Sequence, residues 1–204
     1  MFSDEAWHDI LKAVNEGATL LVSGRFDRDP HFNSTDRAKE MGIAYEPQPL
    51  KTRYNEIEWP GGKARLVYIG QKIDLLVSAY LPGGKTFVEK SYGKGKILFV
   101  SLPLEVNGNL DAVGEVYSYA SKIAGIAKTY STDAQSAGIL IAPARFPHAT
   151  LYVLSSEINQ PGISFRDERS GKEFSAQLEP GRAALLLIGE KGDLLASYNW
   201  SERR

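Results

Sequence analysis

The stretch Asp4–Ser23, DEAWHDILKAVNEGATLLVS, decides the fold class of the first part of the chain. Residues Asp4–Glu16 place apolar side chains at the i, i+3, i+4, i+7 spacing of one helix face, with Ser3 as the N-cap and Gly17 as the C-terminal exit. The run Ala18–Ser23 is almost wholly apolar and ends at a glycine, which is typical of a strand buried on both faces of a parallel sheet. Helix, tight turn and buried strand in this order predict an α/β domain.

The polar loop that leaves this strand is the first candidate binding segment. It covers Arg25–Phe32 and is followed by a helix predicted from about Thr35 to Met41. Ligands of open α/β sheets bind at the carboxyl ends of the strands. The loop therefore supplies four candidate ligand-binding residues, Arg25, Asp27, Asp29 and His31. Solvated turn residues account for the same cluster, so both interpretations stay open.

The segment Tyr45–Val106 changes to β-branched and aromatic runs separated by glycine and proline turns. Two PGGK turns, beginning at Pro60 and Pro82, predict hairpins in an antiparallel excursion. Ile97–Ser101 then predicts a second doubly buried strand. A helix capped by Asn109 follows and ends at Gly125. Its predicted inner face carries Leu110, Val113, Val116, Tyr117, Ala120 and Ile123.

The last third of the chain predicts an all-β domain. The polar segment Lys128–Ala137 lacks periodicity and is interpreted as a linker, which divides the chain into an α/β domain at 1–127 and a second domain at 138–204. Six short strand-like runs follow at spacings of roughly ten residues, the pattern of a small antiparallel β-sandwich. They are GILIAP, ATLYVLSSE, GISFRDE, EFSAQL, RAALLLIG and DLLASY.

Composition excludes several classes of function. The chain has 204 residues, a formal net charge of −1 and no cysteine, so disulfides, thiolate metal sites and cysteine nucleophiles are absent. A balanced charge gives no overall attraction to nucleic acid or to an anionic membrane. No apolar run approaches the roughly 20 residues that span a bilayer. The sequence assigns no compartment.

No catalytic motif stands out. The three histidines lie in separate contexts, so no metal site and no cofactor are predicted, and the glycines of the PGGK and GKGK turns lie between strands, where a phosphate-binding loop does not occur. A carboxylate pair of a glycosidase is weighed against solvated strand surfaces for Glu56, Glu58, Glu89 and Glu105. Trp59 and Trp200 are candidates for stacking on sugar rings, against the alternative of packing at the edge of a core.

Three long stretches resemble one family. They are DEAWHDILKAVNEGATLLVSGRFDRDPHF, GKGKILFVSLPLEVNGNLDAVGEVYSYASKIAGI and the closing part from GILIAPARFPHATLYVLSSE to EPGRAALLLIGEKGDLLASY. The first two resemble the amidotransferase-like domain that follows the catalytic barrel in large bacterial glycoside hydrolases, including relatives of the family-42 beta-galactosidases. The third resembles the small β-sandwich at their C-terminus. The resemblance implies an incomplete flavodoxin-like sheet of the class I amidotransferase type, with an antiparallel excursion, followed by a sandwich.

The resemblance implies a non-catalytic accessory or assembly region of a glycoside hydrolase. The catalytic (β/α)8 barrel of such enzymes does not fit into this chain in addition. Amidotransferase chemistry uses a cysteine, a histidine and a glutamate. Only the glutamate has a counterpart in this chain, which is Glu105. The implied partners are the catalytic barrel or a second copy of the chain. Two other functions are weighed. One is a carbohydrate-binding module acting through the sandwich, and the other is a small-molecule site in the α/β domain at the carboxyl ends of the parallel strands, near Ser23–Asp29.

A flavodoxin-like sheet normally begins with a strand, whereas this chain opens on a helix. One or more early strands are therefore expected to be missing, through either a fragment or a split parent gene. The strand Ala18–Ser23 would then have an unprotected neighbouring position, which favours pairing with another chain.

Overall fold

The chain folds into two compact units, residues 1–126 and 127–204. The computed structural model describes residues 3–29, 31–132, 139–157, 162–176, 178–179 and 181–200. The elements of the first unit are α1 (Asp4–Glu16), β1 (Thr19–Ser23), α2 (Arg37–Glu40), β2 (Glu46–Pro49), β3 (Tyr54–Trp59), β4 (Gly62–Val67), β5 (Val77–Tyr80), β6 (Phe87–Tyr92), β7 (Gly95–Val100) and α3 (Leu110–Ile123). Those of the second unit are β8 (Tyr130–Thr132), β9 (Ile139–Arg145), β10 (Ala149–Ser156), β11 (Ile163–Asp167), β12 (Glu173–Ala176), β13 (Ala183–Gly189) and β14 (Leu194–Tyr198).

Strand β7 is the centre of the first unit. It pairs in parallel with β1, from Thr19 opposite Lys96 to Ser23 opposite Val100, and in antiparallel fashion with β6. Its side chains alternate between two cores. Ile97 and Phe99 pack with the apolar face of α1, whereas Leu98 and Val100 pack with α3 and the β3–β4 hairpin. The doubly buried strand predicted here is therefore confirmed.

Strand β1 differs from the prediction. Val22 is buried, but the other residues of β1 are only half-buried. The physical reason is the position of β1 at the edge of its three-stranded sheet, where β7 is its neighbour among the described strands.

Both long helices form where the sequence places them. The Ser3 side chain accepts a hydrogen bond from the amide of Ala6 at the start of α1, and the Asn109 side chain accepts one from the amide of Ala112 at the start of α3. These caps satisfy amides that have no partner inside the helix. The short helix α2 is confirmed in place but covers only Arg37–Glu40.

The predicted inner face of α3 is wrong at two residues. Leu110 and Tyr117 are 56% and 46% exposed. The buried side is instead centred on Ala112 and Val116. Leu110 lies in the first turn, and Tyr117 turns its polar hydroxyl toward the Glu105 carboxylate instead of entering the core.

The two PGGK turns have different roles. The first joins β3 to β4, which pair from Tyr54 opposite Val67 to Trp59 opposite Gly62, so this hairpin is confirmed. The second lies between β5 and β6, but β5 pairs with β2 and β6 pairs with β7. The hairpin predicted there is wrong, because the turn carries the chain from one sheet to another.

The second unit is all-β. Its four-stranded sheet has the order β14-β13-β10-β9, and its three-stranded sheet has the order β12-β11-β8. Apolar side chains from both sheets, including Tyr152, Leu186 and Phe165, form one core. The α/β plus all-β class is therefore confirmed, and each of the six predicted runs contains a strand. Strand β8 lies within the segment interpreted as a linker and pairs with β11; residues 133–137 of that segment lie outside the described residues.

A polar group is buried in this second core. Asp167 is 1% exposed, and Tyr152 is fully buried. The Tyr152 hydroxyl donates to Asp167 Oδ1 at 2.5 Å, and Asp167 Oδ2 accepts from the Ser170 amide at 2.8 Å. Burial alone would raise the pKa of Asp167, but the hydrogen bonds from Ser170 and Tyr152 outweigh it and lower that pKa. Burial and the same carboxylate raise the pKa of Tyr152.

This carboxylate makes the stability of the second unit depend on pH. A folded-state pKa below the unfolded value of about 3.9 contributes stability that is present above about pH 5 and is lost as the pH falls through the folded pKa. In Asp167→Asn we expect the amide hydrogens of the peptide that contains β10 to be less protected from exchange at pH 7 than in the wild type. On acidification their protection should fall by less than it falls in the wild type. Hydrogen exchange with mass spectrometry measures this.

Asp193→Asn is the matched control, because Asp193 belongs to the same unit and its side chain is 68% exposed. Equal effects of the two substitutions would contradict the assigned role of Asp167.

Candidate functional site

A cleft of about 630 Å³ lies at the carboxyl ends of β1 and β7. This is the end of a parallel pair at which α/β proteins bind ligands, and the volume lies in the range of ligand pockets, about 300–1,000 Å³. The lining residues come from the end of β1 and the loop after it, from the start of α2, from the loop after β7, and from the start of β5 with the segment before it. They are Ser23, Gly24, Arg25, Phe26, Arg28, Phe32, Arg37, Leu75, Leu76, Val77, Pro103 and Glu105.

Two residues fix the floor of the cleft. Gly24 follows β1 with φ +68°, a conformation that side chains with a Cβ adopt only with strain. Its amide donates to the carbonyl of Val100 at 2.8 Å, which ties it to the end of β7. A Cβ at Gly24 would lie 3.2 Å from Pro103 Cα, so the two loops touch here.

Glu105 is the carboxylate of the cleft. It stands on the short turn Leu104–Val106 after β7, accepts a hydrogen bond from the Ser23 hydroxyl, and accepts another from the Tyr117 hydroxyl at 3.2 Å. Burial and the Glu105 charge raise the pKa of Tyr117, and the same two causes raise the pKa of the buried Tyr68. Both phenols therefore keep their protons at neutral pH and act as hydrogen-bond donors.

The guanidinium groups around the cleft have partners. Arg25 forms a bidentate ion pair with Asp27, and the hydrogen bond between them raises the pKa of Arg25. Arg37 is 2% exposed and donates to Asp4 Oδ1 at 3.0 Å. Arg28 donates to the carbonyl of Phe32 at 2.9 Å. Of these three guanidinium groups, those of Arg25 and Arg28 belong to partly exposed residues, whereas Arg37 is buried.

The loop after β1 is held together by Asp29. Its Oδ1 accepts from the amides of His31 and Asn33, each at 2.8 Å. The hydrogen bond from the Asn33 side chain, followed by those from the two amides, lowers the pKa of Asp29. The loop closes with the amide of Thr35 donating to the carbonyl of Asp27 at 2.9 Å.

The structure brings some of the sequence-predicted site residues together. Arg25 and Glu105 line one cleft, and Asp27 is paired with Arg25. Asp29 serves its own loop and His31 is exposed; neither lines the cleft. Trp59 is 7% exposed and packs in the core between β7 and α3, so its ring does not offer the exposed face that was weighed for sugar stacking.

Sequence reasoning missed other lining residues. Phe32 and Leu75 are 69% and 72% exposed. An apolar residue in a polar loop was the available signal for Phe32, but the fact that the two side chains line one cleft depends on the fold. Ser23 lies within the segment Ser23–Asp29 that was weighed for a small-molecule site, and it lines the cleft.

Two of the other glutamates that were weighed, Glu56 and Glu89, have partners of their own. Glu89 accepts from Lys96 Nζ at 2.5 Å and from the Tyr119 hydroxyl at 2.6 Å. These contacts lower the pKa of Glu89, while burial and Glu89 together raise the pKa of Tyr119 to about 12. Glu56 lies 4.0 Å from Lys63 on an exposed hairpin. Local contacts thus account for Glu56 and Glu89, whereas Glu58 is an exposed strand residue.

Metal-ligand clusters and membrane-spanning helices are both missing from the described residues. No group of three or more histidine, aspartate or glutamate residues has the arrangement of a metal site in that part of the chain. No helix there has the length and apolar character needed to cross a membrane.

A second hollow, of about 530 Å³, belongs to the other unit. Lys172, Phe174, Asp193 and Trp200 are among its lining residues. The Trp200 indole N–H donates to the carbonyl of Ser175 at 2.7 Å, and the ring packs against the core of the sandwich. Trp200 is therefore an edge-packed aromatic residue with part of its surface in the hollow.

The fold is similar to one part of known beta-galactosidases. The chain superposes on Gan42B, a GH42 beta-galactosidase from G. stearothermophilus, with a TM-score of 0.61 and 13% identity, covering 92% of this chain and 30% of that one. A beta-galactosidase from Bacillus circulans sp. alkalophilus gives a TM-score of 0.59, 14% identity and coverages of 91% and 30%. The enzyme from Rahnella sp. R3 gives a TM-score of 0.63, 12% identity and coverages of 90% and 30%.

These likenesses show a shared fold, and the chain spans about a third of the length of each structure. No protein-family model matches the sequence, and no curated protein matches it.

The contact between Gly24 and Pro103 gives a test of the cleft's floor. Gly24→Ala adds a methyl group at φ +68° against Pro103, and we expect a loss of about 2–4 kcal/mol in unfolding free energy from backbone strain plus crowding. Gly70→Ala is the matched control, because Gly70 has φ +81° with no atom within 4 Å of the added Cβ, and it should lose about 1–2 kcal/mol. Urea unfolding measures both values, and equal losses would contradict the close approach.

Proposed function

We propose that the chain is a non-catalytic accessory region of a glycoside hydrolase and that its α/β unit serves assembly. The observation that carries the proposal is the superposition of more than 90% of the chain on about 30% of GH42 beta-galactosidase structures. On this proposal the first unit is an incomplete flavodoxin-like sheet of the amidotransferase type. The parallel β1–β7 pair, with α1 and α3 packed on opposite faces, supports that assignment.

The chemistry of the cleft supports a role without catalysis. The chain has no cysteine, so an amidotransferase nucleophile is missing. Ser23 donates to Glu105, and no histidine stands among the described residues that line the cleft, so the serine lacks the imidazole base of a hydrolase triad. Of the four glutamates weighed as a glycosidase pair, Glu56, Glu89 and Glu105 have the local partners described above, and Glu58 is exposed.

The edge of β1 supports an assembly role. The carbonyl of Ala18 accepts from Lys96 and the amide of Gly24 donates to Val100, so the backbone groups of the even-numbered residues face β7. Because these groups alternate along a strand, Thr19, Leu21 and Ser23 turn their amides and carbonyls toward the other edge. Natural proteins usually protect such edges with charge or proline, and TLLVS contains neither.

The partner on this proposal is another polypeptide that adds a strand beside β1. It is either a second copy of the chain or the catalytic part of the hydrolase. Pairing with a second copy can be tested with the purified chain alone.

The non-catalytic assignment predicts that the purified chain does not hydrolyse 4-nitrophenyl β-galactoside. Release of nitrophenol is the measurement, with a GH42 beta-galactosidase as the positive control. Hydrolysis that disappears in Glu105→Gln or Glu56→Gln would contradict the assignment, because the loss would show that the activity belongs to this chain.

The assembly role predicts a mass that rises with concentration in size-exclusion chromatography with light scattering. Thr19→Pro removes one amide from the outer edge, without removing a hydrogen bond to β7, and should give a monomer. Thr19→Val keeps the amide and should still associate. A strict monomer across the wild-type concentration series, or unchanged association in Thr19→Pro, would contradict self-assembly through β1.

A further inference from the structure

The loop after β1 holds an aromatic ring out into solvent at the mouth of the cleft. Phe32 is 69% exposed and has φ +64°, a conformation that is rare for a bulky side chain and costs on the order of 1–3 kcal/mol. The hydrogen bonds of Asp29 and the bond from Arg28 to the Phe32 carbonyl stabilise it. A strained backbone that presents an exposed ring is not explained by packing of the core.

Several other lining residues of the cleft are apolar. Leu75 is 72% exposed, and Leu76, Val77 and Phe26 also line the cleft. Phe32 and these residues offer apolar surface to a ligand, since aromatic faces pack well against C–H groups.

The polar lining residues supply hydrogen-bond acceptors and donors, and their charges are balanced by nearby carboxylates. Arg25, Arg28 and Arg37 line the cleft, and three carboxylates offset them: Asp27 and Asp4, which pair with Arg25 and Arg37, and Glu105. A strongly charged ligand would therefore meet no net opposite charge. Glu105 accepts hydrogen bonds from two hydroxyl groups already, which is the interaction that a ligand hydroxyl would also make.

We infer that this cleft binds a neutral ring compound that carries several hydroxyl groups on one side and C–H groups on the other, namely a mono- or disaccharide. Its C–H face lies on Phe32, and its hydroxyl groups bond to the Glu105 carboxylate and the Arg25 guanidinium. The site lies in the α/β unit and is separate from the sandwich to which carbohydrate binding was assigned as an alternative. The inference does not depend on assembly through β1.

The test is a titration of the isotope-labelled chain with D-galactose and with lactose, followed by ¹H–¹⁵N spectra. We expect saturable shifts at the amides of Gly24, Phe32 and Leu75. Phe32→Gly removes the ring while tolerating the positive φ, and should weaken binding by about three- to tenfold. Phe32→Tyr keeps the ring and should keep the affinity. Phe146→Ala, which removes a ring that is 50% exposed in the other unit, should change nothing.

Three results would overturn the inference. The first is the absence of shifts with both sugars at tens of millimolar. The second is a set of shifts confined to the hollow around Trp200, which would place sugar binding in the sandwich. The third is saturable binding of L-leucine at the same amides without binding of the sugars, which would identify a zwitterionic ligand. None of these results bears on the mass measured by light scattering, so the failure of one proposal is distinguishable from the failure of the other.

Discussion

The first unit depends on the complete burial of β7. Ile97, Leu98, Phe99 and Val100 are each fully buried, and their alternation supplies two cores at once. Burying an apolar side chain of this size contributes about 1.5–3 kcal/mol relative to exposure. Both α1 and α3 bury their apolar faces against this strand. The loss of β7 would therefore remove the surface against which each of the two helices packs.

The central strand also positions the cleft. Its parallel pairing with β1 brings both carboxyl ends to the same side, and the chain then leaves each strand through a tight connection. Gly24 and Pro103 form the contact between these connections. Glu105 and the loop that carries Phe32 consequently face one space, although they are far apart in the sequence.

Local patterns predicted the elements that local forces determine. Helix α1 followed from its apolar spacing and from Ser3, and β7 followed from its unbroken apolar run. Gly95 is required by a contact with a segment distant in the sequence, which a local pattern does not reveal. Its Cβ position lies 2.1 Å from the carbonyl oxygens of Val14 and Ala18, so a glycine is required by the approach of another segment. The GKGK pattern alone indicated only a turn.

Non-local pairing explains the remaining misses. Strand β2 contains Pro47 and Pro49, residues that argue against a central strand, but it is an edge strand beside β5. The turn at Pro82 has hairpin chemistry, yet its flanking strands find other partners. In the cleft, Arg25 was predictable from its place after the carboxyl end of β1, and Glu105 from the resemblance that gives it as the counterpart of an amidotransferase glutamate. Phe32 and Leu75 were not, since their shared position depends on how separate loops pack.

The proposed function depends on the outer edge of β1. Strand TLLVS is held on one side by β7 and offers Thr19, Leu21 and Ser23 to a partner on the other. Residue-resolved hydrogen exchange of the β1 amides, at low and at high protein concentration, tests this most directly. The account predicts slow exchange at Leu20 and Val22 throughout, and exchange at Thr19 and Leu21 that is fast when dilute and slow when concentrated. Equal protection of all four amides at every concentration would contradict it.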